Sequence, residues 1–302
     1  MFKPKGVIPA LITPLDKNGN LLEGALKEVI DYTIAGGVHG IFILGSSGEI
    51  YGLTDSQKRR VIEVTVEHTA GRVPIYCGAS EITTRDCIKT AQLAQEIGGV
   101  SALSVLTPYF MSPTQNELIE HFTAIAKSTE LPIVLYGNEG RTHVKIAINT
   151  CEVLSKIENI IGIKDSSGDM TKMAEYIRVT DREKFSVLAG KDTLIYGGLC
   201  HGGSGAIAST ANLAPQLVSD IYNTFIAGDY KKSLELQFKL APLRFCVDKA
   251  TFPIVLKEGL KMIGIDAGYT FAPASEIAFE VKQQLMDVLK DLELYQKVKN
   301  PG

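Results

Sequence analysis

Short apolar runs alternate with longer amphipathic segments along most of the chain. The runs are apolar on both faces, which is typical of buried parallel strands, and the longer segments have the apolar spacing of helices. Eight strands are predicted at residues 6–12, 39–44, 73–78, 101–106, 132–136, 160–164, 185–189 and 205–208. Eight helices are predicted at residues 22–35, 55–70, 84–97, 113–128, 148–156, 170–180, 192–200 and 214–227.

Strand–helix units in series predict an α/β fold, a (β/α)8 TIM barrel, because a closed parallel barrel covers every strand on both faces. A doubly wound open sheet is the alternative, but no GxGxxG follows the first strand and no GxxxxGK[ST] occurs. Residues 230–246, 253–263 and 274–294 show helical periodicity only. The predicted domains are a catalytic barrel over residues 1–228 and a C-terminal helical appendage over residues 229–302.

Two of the predicted helices begin with the pattern of a capping box, in which a hydroxyl and a side-chain amide bind free backbone N–H groups. Thr54 with Gln57 precedes one helix, and Ser112 with Gln115 precedes another.

Composition and charge exclude several classes of function. The net charge of −3 over 302 residues and the lack of a basic run argue against nucleic-acid binding. The first apolar run is too short and too broken by proline for a signal peptide or membrane span, so a cytoplasmic protein is expected. The five cysteines form no CxxC pair and the histidines are scattered, so we expect buried free thiols, no metal and no cofactor.

Chemistry is expected at the carboxyl ends of the strands, where the active sites of such barrels lie. The polar residues that follow strands there are Ser46, Ser47, Tyr109, Tyr136, Arg141 and Lys164.

The segment IIGIKDSSGD, residues 160–169, ends an apolar strand in a lysine. If Lys164 points into the barrel, strict alternation turns Gly162 and Ile160 inward as well, and Ile161 and Ile163 toward the helices. Gly162 then leaves space beneath the lysine.

The same alternation turns Tyr136 and Val134 inward, so a phenol and an amine reach one barrel mouth. Burial among apolar groups disfavours the charged form of a lysine, and the free amine attacks ketones. Schiff-base catalysis at Lys164 is therefore the chemistry that the pattern permits. Taken singly, Lys164 also fits a solvated strand end, Tyr136 a core aromatic residue and Arg141 a surface charge.

The segment GSSGE, residues 45–49, follows the second strand. Its glycines permit a tight turn, and its hydroxyls and N–H groups can hold a carboxylate or a phosphate. An ordinary turn is the alternative. No motif for a Ser–His–Asp triad accompanies it.

Five motifs give the chain a resemblance to the dihydrodipicolinate synthase / N-acetylneuraminate lyase superfamily over nearly its whole length. They are GSSGE, TPYF (107–110), LYGNEGRT (135–142), GIKDSSGD (162–169) and GGSGAIASTAN (202–212). The resemblance implies a (β/α)8 barrel, a helical C-terminal part, a homotetramer built as a dimer of dimers, and pyruvate bound as a Schiff base.

The resemblance also assigns roles to single residues. Lys164 resembles the Schiff-base lysine, and Tyr136 resembles the proton-relay tyrosine. The remaining positions resemble contacts to the 2-oxo acid: Ser46 and Ser47 for its carboxylate with Ser46 in the relay, Gly48 beside them, Ile207 and Gly190 lining the pyruvate site, and Arg141 meeting a second carboxylate.

The chain departs from the family pattern at two places. The strand-four motif of the synthases commonly ends in two tyrosines, the second of which reaches across a dimer interface. Here the pair is Tyr109-Phe110, and a phenyl ring passes no proton. Tyr109 is then a candidate for part of that role.

The usual Tyr-Asn-x-Pro reads Tyr136-Gly137-Asn138-Glu139, which we expect to loosen the loop and to add negative charge near the far end of the substrate. These departures argue against the synthase reaction. The segments KDSSGDM (164–170) and Thr251-Phe252-Pro253 resemble those of aldolases and dehydratases of 2-keto-3-deoxy sugar acids, and such an enzyme is the preferred interpretation. The alternatives are 4-hydroxy-tetrahydrodipicolinate synthase, condensing pyruvate with aspartate semialdehyde, and a non-catalytic barrel that binds 2-oxo acids.

Overall fold

The protein is described by a computed structural model that covers residues 2–295. Eight parallel strands form one sheet in the order β1-β8-β7-β6-β5-β4-β3-β2. The strands are β1 (Gly6–Pro9), β2 (Ile41–Ile43), β3 (Ile75–Gly78), β4 (Ala102–Leu106), β5 (Ile133–Gly137), β6 (Ile160–Asp165), β7 (Ser186–Ala189) and β8 (Gly205–Ala208).

The seam between β1 and β2 closes the sheet into a barrel. The backbone N–H of His39 donates to the carbonyl oxygen of Val7, and that of Leu11 donates to Phe42, both at 2.8 Å. The predicted (β/α)8 barrel with a helical C-terminal part is thereby confirmed.

Helices follow the strands and surround them. They are α1 (Glu23–Ala35), α2 (Asp55–Thr69), α3 (Thr84–Ile97), α4 (Gln115–Lys127), α5 (Glu139–Thr142), α6 (Ile148–Leu154), α7 (Met170–Val179), α8 (Ile195–Cys200), α9 (Pro215–Ile226), α10 (Tyr230–Val247), α11 (Ile254–Met262) and α12 (Phe279–Asp291). Short 3-10 turns cover Ile50–Gly52, Asp192–Leu194 and Thr210–Asn212, so the predicted helix at 192–200 is α8 preceded by such a turn.

Capping explains where two of these helices begin. The capping box predicted at Thr54 is confirmed. The one predicted at Ser112 is wrong, because α4 begins at Gln115 and is capped by Thr114 together with Glu117. The Glu117 carboxylate accepts a hydrogen bond of 2.6 Å from the backbone N–H of Thr114.

The core has two layers, one inside the barrel and one between strands and helices. The inner layer consists of Ile8, Ala10, Phe42, Tyr76, Ala102, Val134, Ile161, Leu188 and Ile207. Val134 points inward as predicted.

The prediction for the start of β6 is wrong, because Ile161 belongs to the inner layer and Ile160 to the outer one. Ile133 pairs with Ile160 but the next residue, Val134, pairs with Gly162, so a bulge at Ile161 breaks the alternation.

The cysteines are all free, and four of them are buried, as expected. Cys200 is exposed, so the expectation of buried thiols is wrong there. It is the last residue of α8.

Within residues 2–295, no helix combines the length and the apolar character that crossing a membrane requires. The same residues contain no cluster of three or more His, Cys, Asp or Glu side chains suited to a metal ion.

A buried ion pair joins the C-terminal helices to the barrel. The Lys257 ammonium on α11 lies 2.6 Å from the carboxylate of Glu49, and both side chains are 1% exposed. Lys257 also donates to the carbonyl oxygen of Tyr269, and the second Glu49 oxygen accepts from the N–H of Phe271 at 3.0 Å. These contacts with the C-terminal region therefore hold the loop after β2 in place.

Candidate active site

A cavity of about 330 Å³ opens at the carboxyl ends of the strands. Residues from the ends of β1, β2, β5, β6, β7 and β8 meet there with residues of the C-terminal region. The lining consists of Ala10, Ser46, Ser47, Tyr136, Asn138, Gly140, Arg141, Lys164, Ser166, Gly190, Lys191, Ile207, Ser209, Arg244, Asp248 and Phe252.

Lys164 and Tyr136 are direct neighbours across the β5–β6 pairing. The Lys164 Nζ lies 3.9 Å from the centroid of the Tyr136 ring and 5.3 Å from that of Phe42. Lys164 is 5% exposed and Tyr136 3% exposed. The amine is thus enclosed by aromatic rings, as the apolar character of the strands predicts.

The environment of Tyr136 changes its acidity. Burial raises the pKa of this phenol, but the Lys164 charge and hydrogen bonds with Ser46, Asn138 and Lys164 lower it more strongly, to about 8. The Asn138 side-chain amide donates to the phenol oxygen at 3.0 Å. A phenol with such a pKa exchanges a proton readily near neutral pH.

Backbone strain shapes the serine loop, residues 45–48. Leu44 has φ 53° and Glu49 has φ 54°, so non-glycine residues with left-handed backbones flank the loop. Gly78 of β3 permits this path, since a Cβ at that position would lie 1.8 Å from the carbonyl oxygen of Leu44. Ser47 is buried beneath the cavity.

The short helix α5 holds Arg141 at the cavity mouth. The hydroxyl of its neighbour Thr142 lies 2.9 Å from that of Thr107, which anchors the turn to the end of β4. The Arg141 guanidinium carbon stacks 4.6 Å from the centroid of the Phe252 ring. Glu139 pairs with Lys172 of α7 and does not line the cavity, so the expected negative charge there is neutralised.

The loops after β7 and β8 complete the far wall. The buried Asp192 carboxylate accepts from the backbone N–H of Thr210 at 2.7 Å and from Ser209 at 3.2 Å, which fixes Ser209 in the lining. Gly190 allows close approach, because a Cβ there would lie 2.1 Å from the Ser166 Oγ.

Most of the residues singled out from the sequence meet in this cavity. Its lining includes Lys164, Tyr136, Ser46, Ser47, Arg141, Gly190 and Ile207.

Two of the predicted site residues do not line the cavity. Gly48 lies just behind it, where its carbonyl oxygen accepts from the Thr13 hydroxyl at 2.8 Å. Tyr109 is half-buried elsewhere, where burial and then the nearby Glu81 and Cys87 raise its pKa.

Sequence reasoning did not single out several lining residues. Arg244 and Asp248 come from the C-terminal region, for which the sequence showed helical periodicity, and Phe252 stood out only as part of the segment Thr251-Phe252-Pro253 and not as a cavity residue. Asn138 stood in the sequence as a departure within the Tyr136 loop, and its position two residues after the tyrosine was the available signal.

Comparison with known proteins places the chain among enzymes of one family. Residues 3–292 match the Dihydrodipicolinate synthetase family. A 4-hydroxy-tetrahydrodipicolinate synthase of Phenylobacterium zucineum is 35% identical over 95% of this chain and 97% of its own length. One of Agrobacterium fabrum is 41% identical over 79% of this chain and 81% of its own length.

Solved structures agree in fold over nearly the full length. A crystal structure of dihydrodipicolinate synthase has a TM-score of 0.92 and 36% identity, covering 96% of this chain and 100% of that one. A prophage protein of the same family from E. coli K12, solved in complex with pyruvate, has a TM-score of 0.92 and 29% identity, covering 96% and 99%. The chain therefore belongs to the dihydrodipicolinate synthetase family and is a lyase of the class I pyruvate aldolase type.

Proposed function

We propose that Lys164 forms a Schiff base with the ketone of pyruvate or of a larger 2-oxo acid, and that the enzyme makes or breaks a bond at the neighbouring carbon. The observation that carries this proposal is the buried Lys164 amine beside the Tyr136 phenol at the base of the cavity. We assign both groups to a catalytic barrel domain over residues 1–228 and the rest of the chain to a C-terminal helical region, from which Arg244, Asp248 and Phe252 line the cavity.

Imine formation begins when the unprotonated amine attacks the carbonyl carbon. A carbon–nitrogen bond forms, the carbonyl oxygen leaves as water after protonation, and a protonated imine remains. Tyr136 is placed to move these protons, because its phenol hydrogen-bonds with Lys164 and its pKa is lowered to about 8 by its neighbours despite burial.

In the cleavage direction, the Tyr136 phenolate takes the proton from the hydroxyl of the substrate carbon two positions beyond the imine carbon. The carbon–carbon bond breaks and an aldehyde leaves. The electron pair of the broken bond moves into the iminium to give an enamine. Protonation and hydrolysis of the enamine then release pyruvate and the free lysine. In a dehydratase, the enamine forms by loss of a proton and expels a hydroxyl group as water.

The serine loop is proposed to bind the carboxylate next to the ketone. The hydroxyls of Ser46 and Ser47 and the backbone beside Gly48 provide neutral hydrogen-bond donors for this anion. Gly190 and Ile207, from the ends of β7 and β8, also line the cavity. Arg141 is proposed to meet the far end of the substrate.

Our preferred reaction is that of an aldolase or dehydratase of 2-keto-3-deoxy sugar acids. Phe110 supports it, because this residue stands where the synthases commonly carry their second relay tyrosine. Its side chain is 96% exposed on a left-handed backbone, and a phenyl ring transfers no proton. The role of Tyr109 in the relay remains a prediction.

The second candidate is 4-hydroxy-tetrahydrodipicolinate synthase, which condenses pyruvate with aspartate semialdehyde. The names of the curated relatives favour it, since those of Phenylobacterium zucineum and Agrobacterium fabrum are both synthases. The absence of a hydroxyl at Phe110 disfavours it.

We further propose a cytoplasmic homotetramer built as a dimer of dimers. Phe110, Met111 and Tyr51 are exposed apolar side chains near the cavity end of the barrel, and contact with another subunit would remove them from water. The free cysteines suit a reducing compartment.

The direct test is turnover with a panel of 2-keto-3-deoxy sugar acids, beside condensation with aspartate semialdehyde. Cleavage is measured as released pyruvate with a coupled dehydrogenase, and dehydration as the loss of water in the mass of the product. We expect cleavage or dehydration of at least one sugar acid, and complete loss of turnover in Lys164→Ala. Turnover that persists in this variant would contradict the proposed mechanism.

A further inference from the structure

The cavity lining carries more positive charge than the proposed chemistry uses. Among residues 2–295, four cationic side chains line it, those of Arg141, Lys164, Lys191 and Arg244, and the one carboxylate in the lining is that of Asp248. The chain as a whole has a net charge of −3, so this positive charge is a local property of the cavity. The Schiff base uses Lys164 and the far end of the substrate uses Arg141, which leaves Lys191 and Arg244 without a role.

Arg244 differs from the other cations in its burial. It comes from α10, in the C-terminal region, and is only 8% exposed. Its Nη2 lies 2.8 Å from the carboxylate of Asp248. Its Nη1 is buried and has no hydrogen-bond partner among residues 2–295.

This arrangement leaves the guanidinium only partly satisfied. A buried charge is stable when it is paired and its donors are hydrogen-bonded, and a donor without an acceptor carries a desolvation cost. Asp248 has a side chain 56% exposed, so its carboxylate is well solvated on its own. An anion in the cavity can therefore replace Asp248 at Arg244 without leaving the Asp248 carboxylate buried and unpaired.

We infer that Arg244 binds a carboxylate at the far end of the substrate, so that the enzyme selects 2-oxo acids with a second, terminal carboxylate. The inference rests on the proposed function, since Lys164 must hold the other end. The Arg244 guanidinium already binds one carboxylate, that of Asp248, and its planar shape matches the geometry of a carboxylate. We therefore expect the ligand group at this position to be a carboxylate. Sugar diacids of the 2-keto-3-deoxy type meet this requirement.

A matched pair of ligands tests the inference without knowledge of the natural aldehyde. 2-Oxoadipate and 2-oxohexanoate have the same chain length and differ in a terminal carboxylate against a methyl group. For both acids, the protein is trapped with borohydride at a series of concentrations, and the concentration that gives half of the maximal adduct is measured by protein mass. Pyruvate, which has only a methyl group beyond its ketone, is the reference acid. The ratio of the half-maximal concentrations of the first two acids gives the preference for the diacid.

We expect the unaltered protein to prefer 2-oxoadipate. Arg244→Met should lower that preference about tenfold to a hundredfold, which is the loss in affinity expected when a hydrogen bond between charged groups is removed. Arg244→Lys should keep part of it. Asp248→Asn should increase it, because the competing carboxylate is gone. Lys239→Met, an exposed cation of the same helix, is the matched control and should leave the ratio unchanged.

The outcomes separate the two proposals. If the unaltered protein traps pyruvate but shows no preference for 2-oxoadipate, or if neither Arg244→Lys nor Asp248→Asn changes the preference, the inference is overturned and the Schiff-base function stands. If the unaltered protein traps none of the three acids, the proposed function itself fails and the inference fails with it.

Discussion

The side-chain amide of Asn138 donates a hydrogen bond of 3.0 Å to the phenol oxygen of Tyr136, two residues earlier in the chain. The contact stabilises the phenolate, because an N–H donor favours the charged form of its acceptor. It also gives a function to a loop that departs from the usual sequence of the family.

We predict that Asn138→Leu raises the pKa of Tyr136. Burial raises this pKa while Lys164, Ser46 and Asn138 bring it down to about 8, so loss of one donor moves it toward the ordinary value for tyrosine. The change is measured as the alkaline titration of tyrosinate absorbance, in which Tyr136 should be the first tyrosine to ionise.

The pH dependence of turnover should follow. The limb of the rate profile that depends on the phenolate rises with pH through the Tyr136 pKa, so the Asn138→Leu profile should be displaced to higher pH. Asn18→Leu, a change at an exposed position, is the control. An unchanged profile in Asn138→Leu would show that the contact is only structural.

Phe110 provides a prediction about reaction type. Phe110→Tyr restores a hydroxyl where the synthases commonly carry one, so condensation of pyruvate with aspartate semialdehyde should rise about tenfold or more. Tyr109→Phe in the same background tests which hydroxyl is responsible. Robust synthase turnover by the unaltered protein would show that the missing hydroxyl does not determine the reaction.

The Glu49–Lys257 ion pair, which follows the serine loop directly, predicts a large effect on stability. Lys257→Met leaves the Glu49 carboxylate, which is 1% exposed, buried without its cation. The free energy of unfolding should fall by about 3–5 kcal/mol in urea denaturation.

Two comparisons test the cause of that loss. Lys282→Met removes a cation that is 54% exposed and pairs with Glu258 at 3.5 Å, and it should cost less than about 1 kcal/mol. The double variant Glu49→Leu with Lys257→Met should be more stable than Lys257→Met alone. Equal losses in the single and double variants would contradict the explanation by an unpaired charge.

The sequence predicted the barrel because its strands are apolar on both faces, and such strands have few other folds open to them. It also predicted the meeting of Lys164 and Tyr136, because alternation near the carboxyl end of a strand is regular. The bulge at Ile161 was not predictable, since it depends on how β5 and β6 pair and not on either strand alone.

The residues that the C-terminal region contributes to the site were not predictable either. Arg244 and Phe252 lie in or next to helices whose periodicity indicates burial against something, without identifying the partner surface. The capping box was assigned to Ser112 for a related reason, since two hydroxyl residues precede α4 and only the fold decides which one caps it.

The most direct test of Schiff-base formation at Lys164 is the mass of the protein after incubation with pyruvate and borohydride, followed by peptide mapping of any adduct. We predict one reduced pyruvate on the peptide that contains Lys164 and none on the Lys164→Ala variant. An unchanged mass for the unaltered protein, as a non-catalytic binding barrel would give, or an adduct on Lys191 instead, would contradict the central claim.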